Sequence, residues 1–278
     1  MKKLPITIGL SIAASCFLTS VAQAQLLKKL KDKVSDKIEN KVDKALDGDF
    51  GKKTETGAEK AQSTVSKVNA NLPYTFIQGK DSIYFDNFSS EKTGEMASHW
   101  KSNGSGSIGT ASEFPGKWLF LKEFTSYKLK SDQALPANFT LEFDIVTLSK
   151  DRARDLNNIS FGFAHNNGVS SYIPDAYNEG AIAQTQIHYW NQEINNASSD
   201  NKKYNTIKFP LEGYAIGKMH VAITVKDLHM QVYLDKQKVL DTDMFASTPE
   251  TKYFYISTST SLDNGARIGV GNFQIAGL

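Results

Sequence analysis

Near its carboxy-terminal end the chain alternates between apolar and polar residues, and this limits its fold more than any other feature. In HMQVYLDKQKVLDT, Met230, Val232 and Leu234 alternate with polar or aromatic residues, and Val239 and Leu240 return after a break. Successive side chains of a strand point to opposite faces, so such a stretch has one apolar face and one mixed face. Asp235-Lys236 stands where a two-residue hairpin turn belongs, and the stretch is predicted to be a β-hairpin. Shorter runs of the same kind begin soon after Pro73. They place strands at 82–85, 118–121, 127–129, 139–148, 160–164, 183–190, 206–209, 218–226, 229–234, 237–241, 252–259 and 268–275. Many short strands separated by turn signals argue for an all-β sandwich or jelly roll in one domain, 73–278.

The amino-terminal part is different. Met1-Lys2-Lys3, an apolar run from Ile6 to Val21 and then Ala22-Gln23-Ala24 make a secretory signal peptide over 1–24, too short and wrongly flanked to span a bilayer. Cleavage is expected after Ala24, which sends the protein to the periplasm, the outer membrane or the outside. Lipoprotein processing at Cys16 is the less favoured route, because Ala13-Ala14-Ser15 is a poor lipobox and apolar Phe17-Leu18 continues the signal core. Cys16 is the only cysteine, so the exported part has no thiol nucleophile, disulfide or thiolate metal centre, and its stability must come from a core. A formal net charge of +2 gives no reason to expect nucleic acid, and no second apolar run suggests a transmembrane span.

Residues 25–48 hold LLKKLKDKVSDKIENKVDKALDG, in which Leu27, Leu30, Val34, Ile38, Val42 and Ala45 are spaced by 3, 4, 4, 4 and 3. This spacing predicts an amphipathic α-helix with one apolar face. The eleven-residue intervals from Leu27 to Ile38 and from Val34 to Ala45 suit a nearly straight or slightly right-handed pairing. The stripe can pack on the chain's own domain or mediate self-association, and interleaved acids make it a poor membrane-surface helix. Residues 49–72 are small, polar and charged, and read as a linker.

Three stretches, DSIYFDNFSSEKTGEMASHWKSNGSGSI, GKWLFLKE and LPANFTLEFDI, resemble the concanavalin A-like (laminin G-like) jelly roll of a family of bacterial envelope proteins. GKMHVAITVKDLHMQVYLDKQKVLDT and IGVGNFQIAGL resemble its later strands. The resemblance runs from about Asp81 to Leu278 and implies a concanavalin A-like sandwich. Family members often carry an OmpA-like peptidoglycan-binding domain after the jelly roll; that domain has no counterpart in these residues, so wall anchoring is not carried over. Jelly rolls serve as lectins, enzymes and adhesive modules, so the resemblance implies a fold more than an activity.

LEFDIVT, Leu141 to Thr147, raises the question of catalysis. Leu141, Phe143 and Ile145 share one strand face, and Glu142 and Asp144 the other. Retaining glycan hydrolases use such a strand in the form E-x-D-x-x-E, with a bulge that brings nucleophile and acid together. Here Glu142 could attack and Asp144 assist, but Thr147 stands where the acid belongs, and general acid help is worth about 10²–10⁴-fold. The alternative is a polar strand face whose carboxylates pair with nearby Lys or Arg. His99, His165, His188, His220 and His229 form no metal-ligand spacing, so no metal site is assigned. Asp263-Asn264-Gly265 and Asp241-Thr242-Asp243 read as surface loops with too few carboxylates to predict Ca²⁺, and no cofactor is expected.

For ligand contact the richest stretch is 165–204, read as long and irregular, with Tyr172, Tyr177, His188 and Trp190 among many Asn and Ser residues. Aromatic faces stack on sugar rings and amides reach hydroxyls. Alternatively Gln186, His188 and Trp190 line one face of a strand and Ile187 and Tyr189 the other, one of the two being core. The expectation is an exported, non-catalytic envelope module that binds a glycan or an envelope protein. A glycoside hydrolase using Glu142 and Asp144, and an interaction protein acting through the amino-terminal helix, are the alternatives.

Overall fold

The computed structural model describes residues 73–278 apart from 179 and 248–250. The signal peptide, the helix with its Leu27–Ala45 stripe and the linker lie outside the described residues. In chain order the strands are β1 (Asp81–Asp86), β2 (Trp100–Ser102), β3 (Gly106–Ala111), β4 (Phe114–Leu121), β5 (Ser126–Leu129), β6 (Asn138–Leu148), β7 (Asn158–Ala164) and β8 (Ala181–His188). They continue with β9 (Glu193–Ser198), β10 (Lys203–Lys208), β11 (Ile216–Lys226), β12 (His229–Leu234), β13 (Gln237–Asp243), β14 (Tyr253–Thr258) and β15 (Arg267–Gly277). One sheet runs β13-β12-β11-β6-β15-β4-β3, with β1 also on β15; the other runs β10-β9-β8-β7-β14-β5-β2. All pairings are antiparallel. Residues 73–278 form the all-β jelly-roll sandwich expected from the alternation, of the concanavalin A-like kind that the resemblance implies.

Apolar residues at every second position build the core. Leu141, Phe143 and Ile145 of β6 and Met219, Val221, Ile223 and Val225 of β11 face Ile159, Phe161 and Phe163 of β7 and Phe254 and Ile256 of β14. The Phe143 ring stacks on Phe273 (5.2 Å, 12°) and meets Phe161 edge-on (5.3 Å, 85°), joining the two sheets. Each large apolar side chain buried in this way contributes about 1.5–3 kcal/mol. The β12–β13 hairpin turns on Asp235 and Lys236, both at positive φ (44° and 70°), as a type I′ turn demands.

Three short strands, β2, β3 and β9, were not legible in the sequence. β9 corrects the reading of 165–204 as one irregular segment, because that stretch contains the β8–β9 hairpin and the start of β10. Tight turns at Gln192 (φ 56°) and Lys202 (φ 51°) allow it. Only residues 165–178 are irregular, and they form a strap across the outer face of the second sheet. Ile173 N–H donates to Ser126 Oγ (2.8 Å), Ser160 Oγ to Pro174 O (3.0 Å) and Lys128 Nζ to Asn166 O (2.7 Å). The strap explains why Ser126, Lys128 and Ser160 are buried on an outward face, and burial pushes the Lys128 amine down to about 8.

Candidate functional site

Two constellations stand out, one on the outer face of each sheet. On the first sheet, β6 pairs with β11 without a register shift from Asn138 to Leu148. Residues of equal parity therefore share a face: Glu142 and Asp144 point outward, and Thr147 points inward with Leu141, Phe143 and Ile145. The buried Thr147 hydroxyl donates to Tyr214 O (2.5 Å). The bulge that E-x-D-x-x-E chemistry requires is therefore absent from β6, and the position of the missing acid lies on the opposite face from Glu142.

The two carboxylates are instead held by His220, directly across on β11. Its Nδ1 lies 2.8 Å from Asp144 Oδ1 and its Nε2 3.2 Å from Glu142 Oε2. Lys218 (3.4 Å) and Asn272 Nδ2 (2.8 Å) complete the shell of Asp144. Asn272 reaches it from a bulge in β15, where it adopts φ 54°. Burial works to raise the Asp144 carboxyl, but hydrogen bonds from His220 and Asn272 and the Lys218 charge outweigh it and hold it below the ordinary aspartate value. The bonds to Asp144 and then Glu142 push His220 up to about 9 against the effect of burial. The expected Lys or Arg partner is thus only part of the shell, and a histidine supplies most of it. The same pattern recurs on this face: His229 of β12 lies 2.7 Å from Asp241 and 2.8 Å from Asp243. Asp241-Thr242-Asp243 is therefore strand β13 rather than a surface loop.

On the second sheet, β8 ends at His188, and Trp190 stands in the turn before β9. Ile187 and Tyr189 are buried, so the outward row is Gln186, His188, Trp190. The Trp190 Nε1–H donates to His188 Nδ1 (3.2 Å), which leaves His188 Nε2–H to donate to Gln186 Oε1 (2.7 Å). That assignment needs a neutral ring, and burial indeed pushes the His188 pKa down despite nearby Glu193. The indole edge is thus fixed while 57% of Trp190 stays exposed. Beside it lies an open cleft of about 590 Å³, lined by Arg152, Arg154, Asp155, Asn157, Asp263 and Asn264. These come from the short 3-10 turns Ala153–Leu156 and Asp263–Gly265 at the same end of the sandwich. Arg152 Nε (3.2 Å) and Asn264 Nδ2 (3.1 Å) donate to the buried Asp155 carboxylate, and Asn157 Nδ2 to Asp263 Oδ2 (3.3 Å). The arrangement offers a rigid aromatic face beside fixed donors and acceptors, the chemistry that recognises a ring bearing hydroxyls.

The structure brings Tyr172, His188 and Trp190 to one end of the second sheet. The Tyr172 hydroxyl donates to Thr258 O at the end of β14 (2.5 Å). Tyr177 stands in a turn bonded beside Gly180 and His165, at the far end of β7, about 20 Å away by strand rise. Sequence reading missed Arg152, Arg154, Asp155 and Asn157. The available signal was DRARD, a dense charge run between two expected strands. Among the described residues, Asp86, Glu91 and His99 are the one group of three whose potential ligating atoms lie within 4.8 Å of one another. The Tyr84 hydroxyl and the Phe88 N–H already donate to the Asp86 carboxylate, and the Ser98 N–H and hydroxyl to the Glu91 carboxylate.

No protein-family model matches the chain, and no curated protein matches it in sequence. Solved structures do. A Bacillus subtilis protein of unknown function with a galectin-like fold is 10% identical, with a TM-score of 0.48 over 72% of this chain and 97% of that one. The Emp47p carbohydrate recognition domain is 13% identical, with a TM-score of 0.47 over 69% and 94%. Carbohydrate-binding module CBM66 from Bacillus subtilis is 14% identical, with a TM-score of 0.41 over 64% and 95%. The likeness is one of β-sandwich architecture alone.

Proposed function

We propose that this chain is an exported, non-catalytic module of the cell envelope that binds a glycan in the cleft beside Trp190. The observation that carries the reading is the exposed indole, held at its edge by His188, over a cleft walled by arginine, carboxylate and amide groups. The indole leaves its ring face open while its N–H is tied to His188, and an aromatic with an apolar face and a polar edge is the kind of group that stacks on a sugar ring. The signal-like amino terminus supports export, and the capture of Glu142 and Asp144 by His220, with Thr147 turned inward, supports a role without hydrolysis.

Affinity electrophoresis against soluble β-glucan, xylan, mannan, galactan, levan, polygalacturonate and peptidoglycan fragments tests it. At least one should retard the wild-type protein, and Trp190→Ala should abolish the retardation without changing the fold. Retardation by none of these, or retardation that Trp190→Ala leaves intact, would contradict the proposal.

A further inference from the structure

A second aromatic platform stands across the strand ends from Trp190. Phe124 precedes β5 and is 57% exposed, although it is a large apolar residue between Glu123 and Thr125. Its backbone is at φ 53°, a left-handed conformation that is strained for a residue other than glycine. Two contacts hold it there: its N–H donates to Ser259 O (2.8 Å), and its ring packs at 4.4 Å and a 31° tilt against Tyr172, whose own hydroxyl is tied to Thr258 O.

The strand register sets the relation of Phe124 to Trp190. His188 of β8 lies opposite Asn158 of β7, Ile159 of β7 opposite Thr258 of β14, and Ser257 of β14 opposite Ser126 of β5. Trp190 and Phe124 each stand two residues beyond one of these positions, at the same end of the sheet. The outward row at Gln186 continues through Ser160 and Ser257 to Ser126, two residues from Phe124, and the strap carrying Tyr172 crosses that face. Three strand spacings separate the two aromatics, about 14 Å. Between them Asn157 donates to Ser261 O (3.1 Å) and Oγ (3.0 Å), so the intervening surface is polar.

From this we infer that the glycan site extends from Trp190 to a second aromatic platform, Phe124, and that its ligand is a linear oligosaccharide several units long. The inference rests on the glycan-binding reading. A single sugar ring stacked on one platform cannot touch the other, whereas a chain can lie across both with its hydroxyls on the polar floor.

The test is a calorimetric titration with oligomers of one to six units prepared from whichever polysaccharide retards the protein. Affinity should rise about tenfold or more between the monosaccharide and the tetramer and then level off. Phe124→Asn, which keeps a residue tolerant of positive φ, should lower tetramer affinity about tenfold, and Phe124→Tyr should keep it near wild type. Thermal unfolding checks that both variants fold. Equal affinity for monosaccharide and tetramer, or a Phe124→Asn variant that binds the tetramer as the wild type does, would overturn the two-platform inference while glycan binding itself stands. If no polysaccharide is retarded, the underlying reading fails and this inference fails with it.

Discussion

His220 Nδ1 lies 2.8 Å from Asp144 Oδ1, and the other ring nitrogen faces Glu142 at 3.2 Å, so both imidazole nitrogens meet carboxylate oxygens. Only the imidazolium has a proton on each nitrogen, and its pKa rises to about 9 accordingly. A histidine whose folded-state value is raised stabilises the fold fully below its unfolded value near 6.5. That stabilisation is lost as pH rises through about 9. The unscreened linkage is about 3 kcal/mol, and with 40% of the side chain exposed, solvent screening reduces it to about 1–2 kcal/mol. Denaturant titrations should therefore show wild-type stability falling by that amount from pH 6.5 to above 9. His220→Gln should remove most of the slope; an identical slope in the variant would show that the pair contributes nothing.

Gly162 keeps β7 close to β8, the pairing that sets Asn158 opposite His188. A Cβ there would sit 2.0 Å from Ala183 O and 2.8 Å from Gln184 Cα, both backbone atoms that cannot give way cheaply. Gly162→Ala should cost about 2 kcal/mol or more and should weaken glycan binding through the displaced β8–β9 turn. An unchanged denaturation midpoint would refute this.

Lys236 occupies the second turn position of the β12–β13 hairpin at φ 70°. Lys236→Gly should stabilise the domain by about 0.5–1 kcal/mol, because glycine removes the left-handed strain at only part of that cost in chain entropy. Chemical denaturation measures it, and a loss of stability would contradict the turn assignment.

Much of this architecture is legible in the sequence. Alternation located the strands because a half-buried strand must show its two faces, and the Asp235-Lys236 hairpin carries its turn chemistry openly. β3 and β9 were hidden for a physical reason: GSIGTA and EINNAS are poor in large apolar residues, and their place is set by neighbouring strands rather than by their own pattern; β2, WKS, is too short at three residues to show an alternation. The site was half legible. Trp190 and His188 stood out as types, but their neighbours Arg152, Asn157, Asp263 and Phe124 come from loops far apart in sequence, and only the sheet register brings them to one end. Glu142 and Asp144 drew attention through their spacing, while His220, their partner across the sheet, carried no local mark.

If Glu142 and Asp144 are held by His220 as a structural network, Glu142→Gln should leave glycan affinity within about twofold of wild type. Incubation of the wild-type protein with its bound polysaccharide should release no reducing ends. Release that disappears in Glu142→Gln would make the chain a hydrolase after all.

The most direct test of the binding site is the tryptophan indole region of a ¹H–¹⁵N spectrum during titration with the retarding glycan. The chain has three tryptophans; Trp100 and Trp118 are buried at 1% and 2% exposure, and Trp190 stands in the cleft. The Trp190 indole resonance, assigned by its loss in Trp190→Phe, should shift in a saturable manner while those of Trp100 and Trp118 stay in place. A saturable titration in which Trp190 does not move would place the glycan elsewhere and contradict the site.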